Sequence, residues 1–492
     1  MKPLAVIMGL ACVLNFAAPA ADPQLTSWLT TYSGQYARVY ETDSDRLSGT
    51  TLTTWPRPGR TVMGGQATPT YCGIHEISSS SGWVYLRTSG LGGHVMGPWF
   101  MTAAHTTLFM NMPKNTATIY RFPRSPQPQA GNKTLTGLGP IGIFVDGVVM
   151  FDSRDAFSVS ASSGTEAPNG LGIWNRDAYV NESQTFDPAF AHQPGSGQYH
   201  YHANPPALRY LLGDNISFNG ATKAYTEDSA NTNLHHSPIL GWVRDGYPIY
   251  GPYGYSNPTN PVGDVRRMIS GFVPRNPITT GVLTRTTLPA WAQRAQNRPT
   301  LTAAQYGPAV SASFPMGRYL EDNDYLGDLG FTKGADFDLD EYNGRLCVTP
   351  EFPNGTYAYF TCISSNGAPV FPYNIGRQFY GVASGGTVAS IAETVTTNFV
   401  GGPSMPIQLN SPSRNTASGD VTLTWSSVDG GTYQIEAASA LPSTNWTAIR
   451  TNVPSKGILS DTVEPGPSQA GAMKRFYRVR RSGLAAYDAT GF

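Results

Sequence analysis

The chain has 492 residues, and its 33 Lys plus Arg are matched by 33 Asp plus Glu. That length predicts two or three domains rather than one core. With no basic run to neutralise phosphates, the balance argues against a nucleic-acid partner, and the sequence offers no sign of a nucleotide cofactor. Charged residues make up 13 % while Gly (53), Pro (39) and Tyr (26) are abundant, which predicts a mainly β fold of short strands and tight turns.

The first stretch, "MKPLAVIMGLACVLNFAAPAADPQ", has a Lys2 head, an apolar run and small residues before the break. It reads as a secretory signal peptide over 1–21, cut after Ala20 or Ala21. Cys12 follows "GLA", which lacks the leucine usually found three residues before a lipidated cysteine. No later apolar stretch reaches the roughly 20 residues of a spanning helix. The expectation is an exported protein, secreted or periplasmic, without a transmembrane segment.

Next, "HVMGPWFMTAAHTTLFMNM" gathers four methionines and two histidines. Thioether and imidazole together suit copper, but methionine as core filler is the favoured reading. Two stretches then echo one another: "PIGIFVDGVVMFD" (140 to 152) and "PILGWVRDGYPIYG" (238 to 251). Each predicts a β-hairpin with a two-residue Asp-Gly turn, at Asp146-Gly147 and Asp245-Gly246. Each is followed by a Tyr-x-Tyr strand, Tyr199 and Tyr201 in "GSGQYHYHANP", then Tyr357 and Tyr359 in "PNGTYAYFTCI". The body, 22–400, is therefore read as one domain with an internal duplication, about 138–205 and 236–380, and a Pro/Thr-rich insertion near 257 to 320. The tyrosines recur, which suits packing. His200 and His202 do not, since Ala358 and Phe360 replace them, and are free to form a site.

Further on, Asp336, Asp338 and Asp340 alternate as in calcium loops, but the closing glutamate of an EF-hand is absent, so calcium is the weaker choice. Centring a two-residue turn on Asn354-Gly355 places Cys347 opposite Cys362, which predicts a disulfide in an oxidising compartment; Pro353 argues against that register. Cys72 is left over as a buried thiol. After a Pro/Gly/Ser linker at 401–412, alternating runs around Trp425, Tyr433 and "RFYRVRRS" predict a small antiparallel β-sandwich over 413–485. Through Trp425, Trp446 and "FYRVR" it resembles the fibronectin-III-like modules of secreted bacterial proteins.

"GQYHYHANP" together with "HHSPILGWVRDGYPIYGPYGY" resembles the YHYH family of secreted proteins, and five ordered motifs carry the likeness over about 80 to 380. The resemblance implies an exported β-rich domain and assigns no reaction. Where the second copy of the tetrapeptide would stand, this chain has Tyr-Ala-Tyr-Phe.

His200 and His202, at i and i+2 of a strand, share a face about 7 Å apart, close enough for one ion. His192 lies across the "QPGSG" turn, where a hairpin brings it alongside; His236 and His94 are further candidates. Imidazoles without thiolate favour zinc or copper, with Asp245 or Asp187 available should a carboxylate be required. No G-x-S-x-G serine appears in a convincing context, and Ser237 beside His236 is not by itself a nucleophile–base pair. The leading expectation is a transition-metal site built from His192, His200, His202 and His236 with His94, acting on an unknown small molecule. The alternative is a non-enzymatic cell-surface or polysaccharide-binding protein whose histidines sit in a hydrogen-bonded core.

Overall fold

A computed structural model describes residues 22–55, 65–160, 162–228, 233–276, 284–465 and 475–492; the leader reading at 1–21 lies outside them. The fold is mainly β, and its helices are short, at most seven residues among the described ones.

The centre is an eight-stranded sheet. Its strands are β1 (Gly142–Phe144), β2 (Val149–Met150), β3 (Ala191–His192), β4 (His200–Tyr201), β5 (Ile239–Val243), β6 (Pro248–Tyr250), β7 (Gly344–Cys347) and β8 (Thr356–Phe360). Across the sheet they run β3-β4-β2-β1-β5-β6-β8-β7, so the order reads the same from either edge once the halves are exchanged. In each half a hairpin (β1-β2 or β5-β6) takes the Tyr-x-Tyr strand in parallel on its second arm. The outer strand then pairs antiparallel with that strand. The halves meet where β1 and β5 run antiparallel. Gly142 and Gly241 hold matching positions there: an added Cβ would lie 2.9 Å from the Trp242 carbonyl or 2.6 Å from that of Ile143.

Both hairpin turns differ from the expected two-residue form. Ile143 pairs with Val149, and the Gly147 N–H donates to Phe144 with Gly147 at φ 84°. Val243 and Gly246 (φ 87°) repeat this geometry. These are three-residue loops with glycine in the left-handed position, where a Cβ would be strained. Asp146 and Asp245 close them by accepting the N–H of Val148 and Tyr247 through Oδ1.

The Asp carboxylates also fix the tyrosines. Tyr201 donates its hydroxyl to Asp146 at 2.8 Å, and Tyr359 to Asp245 at 2.7 Å. Tyr199 donates to Asp187 and Tyr357 to Asp340, both at 2.8 Å. Each Asp of that second pair caps a matching turn, accepting N–H groups two and four residues on. Phe190 and Asn343, three residues on, have φ 60° and 69°. All four tyrosines are buried in the main core, since an aromatic ring inside needs its hydroxyl satisfied. That core is shared with a five-stranded sheet, 74–79, 83–88, 118–123, 386–388 and 396–400, through contacts such as Phe122 stacked on Trp242 at 5.2 Å. The segment expected as a plain insertion helps build a second core, with Phe272, Leu288, Trp291 and Tyr319.

The predicted disulfide does not form. Cys347 pairs with Thr356 rather than Cys362, because Phe352–Gly355 closes a longer loop than a turn centred on Asn354-Gly355. Cys362 lies six residues further along and its thiol donates to the Asn343 side chain at 3.0 Å. At about 3.3 Å per residue the two sulfurs are out of reach of one another. Cys72 is free and buried.

Among the described residues between 413 and 484, six strands form two three-stranded antiparallel sheets around Leu423, Trp425, Tyr433 and Ile435. This region and the terminal segment after it are fastened to the body. Asp429 accepts the Tyr36 N–H at 2.7 Å, Asp488 accepts from Gln66 and Asn115, and Phe492 stacks on His75 at 3.8 Å.

Candidate metal centre

Alternation along β4 sends Tyr199 and Tyr201 into the core and His200 and His202 to the opposite face. Strand β3 returns so that His192 stands directly opposite His200. The three imidazoles offer ligand atoms that all lie within 4.8 Å of one another, and among the described residues they are the one such group of three or more His, Cys, Asp or Glu. All three are buried.

The hydrogen bonds assign the protons. His200 Nδ1 faces the Gln198 carbonyl at 2.9 Å, and His202 Nδ1 faces the Asp152 carbonyl at 3.0 Å. A carbonyl only accepts, so both Nδ1 atoms carry hydrogen. His192 Nδ1 lies 2.7 Å from the Thr185 hydroxyl, which itself donates to the Glu182 carbonyl at 2.7 Å. Its Nδ1 therefore donates too. A neutral imidazole has one N–H, so all three Nε2 atoms point inward as lone pairs, and those of His200 and His202 are 3.0 Å apart. Burial, then the neighbouring rings, hold His192 and His200 well below the ordinary imidazole range; burial takes His202 down to about 4. A shared proton is thus disfavoured. Two ligands on one tetrahedral zinc stand about 3.3 Å apart, close to the spacing observed.

A phenylalanine backs each imidazole: Phe109 on His192 (8° between planes), Phe151 on His200 (17°) and Phe186 on His202 (11°). The rings are held by packing on one side and by their Nδ1–H bonds on the other, as metal-bound histidines commonly are. A cleft of about 340 Å3, lined by the three histidines, Glu182, Phe109 and Phe151 among others, opens onto the cluster.

Glu182 was not legible as a site residue. It ends the helix α1 (Ala178–Glu182), ten residues before His192, and its Oε2 lies 3.8 Å from His192 Nε2 and 3.7 Å from His202 Nε2. Burial, with Asp155 adding to it, pushes its carboxyl up to about 8. The one sequence signal was an acidic residue beside a histidine-bearing hairpin, too common to single out.

The other candidates lie elsewhere. His94 is behind the sheet, its Nε2 3.1 Å from the Tyr199 hydroxyl, and burial lowers it to about 3. His236 belongs to the second half, tilted against Tyr255 and edge-on to Tyr250, with Nδ1 on the Ser237 carbonyl at 2.8 Å. Asp187 and Asp245, the carboxylates expected to be available, bind tyrosines on the core face. Ser237 donates to Asp214 at 2.8 Å. The methionine-rich stretch disperses: Met96 and Met112 are buried, Met101 and Met110 exposed, and His105 pairs with Asp43 at the surface. Asp338 takes two bonds from Arg266, and Asp340 is occupied by Tyr357.

These features define a duplicated β-sheet protein with a buried three-histidine cluster in its first half. The family model described as "YHYH protein" matches residues 119–370, half of the chain and both halves of the central sheet. The chain belongs to the YHYH family. His94 and the C-terminal sandwich fall outside the match. Neither the curated proteins nor the solved structures gave a match.

Proposed function

We propose that this YHYH protein is exported and binds a divalent transition metal, zinc or copper, through Nε2 of His192, His200 and His202. The observation that carries the reading is the convergence of three imidazole lone pairs whose Nδ1 hydrogens are all committed elsewhere. Such an arrangement is repulsive without a cation and typical of ligands with one. The cleft admits a small molecule to the ion, which would supply Lewis acidity to polarise that molecule or a bound water. His94 and His236 are outside the ligand set on this reading.

The two C-terminal sheets pair the first, second and fifth strands and the third, fourth and sixth, which supports a fibronectin-III-like module. A second reading, a cell-surface polysaccharide binder, draws support from the cluster of Tyr210, Phe218 and Tyr225, whose rings lie 4.9 to 6.0 Å apart with Tyr210 exposed. The test is metal content by mass spectrometry on mature protein purified without chelator or histidine tag, beside His200→Ala plus His202→Ala. About one ion per chain, lost in the double variant, is expected. No bound ion after loading with zinc and copper would leave the histidines as core hydrogen-bonders and favour the second reading.

A further inference from the structure

We propose that Glu182 is the fourth ligand of the metal, so that the centre is built from three imidazole nitrogens and one carboxylate oxygen. This rests on the metal reading above. Among the described residues no donor bonds the Glu182 carboxylate. The charged groups that act on it are Asp155, Arg176 and Asp177. Of these Arg176 is engaged with Asp155 at 2.8 Å and with Glu166. A carboxyl with no protein donor, beside three inward lone pairs, offers a cation a fourth ligand oxygen once its proton leaves. Its Oε2 stands 3.8 and 3.7 Å from Nε2 of His192 and His202, about half an ångström beyond the ~3.3 Å edge expected between two ligands of one ion. Only the imidazoles lie within 4.8 Å of one another, so on binding the side chain also turns toward His200.

The backbone holds Glu182 there. Helix α1 is capped by Asp177, whose Oδ1 accepts the Val180 N–H at 3.1 Å. Asp177 is pinned in turn by the Tyr373 hydroxyl at 2.8 Å, so a residue from the far end of the domain fixes the helix that carries the ligand. Glu182 also acts through its main chain: its carbonyl receives the Thr185 hydroxyl, which receives His192 Nδ1–H. One residue thus offers an oxygen to the ion and sets the tautomer of a nitrogen ligand, while Thr185 is a positioning residue. Four protein ligands make a closed tetrahedral zinc site, whereas an ion that takes five or six ligands keeps positions open to the cleft.

The experiment is a competition titration of Zn(II), and a visible-absorption titration of Co(II), against a chromophoric chelator on full-length mature protein. Wild type, Glu182→Gln, Glu182→Asp and Thr185→Val are compared, with metal-free thermal midpoints as the folding control. Expected are one ion per chain in wild type, ~100-fold weaker binding and an altered Co(II) spectrum in Glu182→Gln, and partial recovery in Glu182→Asp. Thr185→Val should lose ~10-fold with its Co(II) band kept. Wild-type affinity and an unchanged spectrum in Glu182→Gln would overturn the ligand assignment and leave the three-histidine centre standing. Failure of wild type to bind either ion would overturn both.

Discussion

The two halves of the central sheet share a skeleton and differ in what they place on it. Both have the Asp-closed hairpin, the parallel Tyr-x-Tyr strand and the tyrosine–aspartate bonds. Where the first half carries His192, His200 and His202, the second carries Arg345, Ala358 and Phe360. There the Arg345 guanidinium lies 5.4 Å from the Phe360 ring, and the cluster is replaced by packing. Features kept in both halves are the scaffold; the histidines are an addition to it.

If that comparison holds, breaking the scaffold costs the same in either half. Tyr201→Ala and Tyr359→Ala each remove a buried ring and strand an aspartate, so each should lower unfolding free energy by about 3–5 kcal/mol in denaturant titrations. A marked inequality would show that the halves are not equivalent. At their junction, Gly241→Ala forces a Cβ against the Ile143 carbonyl and should cost about 1–3 kcal/mol.

The added site should be separable from the scaffold. His200→Ala plus His202→Ala should abolish metal content while the metal-free melting temperature stays close to wild type. Ala358→His plus Phe360→His should create no centre in the second half, because Arg345 occupies the place of His192; equilibrium dialysis with zinc reads this directly.

The smallest expected effect concerns pH. Burial raises Asp146, Asp187, Asp245 and Asp340 to about 6 each. A carboxyl whose folded pKa lies above its unfolded value binds its proton more tightly when folded. These four therefore disfavour the fold above about pH 6, and that penalty fades as pH falls toward about 4. Through these groups the metal-free protein gains stability from pH 7 to pH 5, and replacing Asp245 by Asn should remove part of that gain. The buried histidines, held low, act in the opposite sense, so the aspartate share is read as the difference in melting shift between wild type and Asp245→Asn.

Local sequence was enough for what depends on alternation and turn chemistry. It determined the mainly β class, the two Asp-Gly hairpins, the shared face of His200 and His202 and the return of His192 beside them. A period of two and a glycine at positive φ act over a few residues and leave a readable pattern. Tertiary structure decided the rest. Glu182 reaches the site because a helix capped at Asp177 is pinned by Tyr373, nearly 200 residues away in the chain. Cys347 and Cys362 miss one another because Phe352–Gly355 closes the loop in another register. His94 and His236 resemble ligands in sequence, yet one packs behind the sheet and the other in the far half. Such outcomes depend on which surfaces bury one another across long chain separations, and no short stretch of residues encodes that by itself.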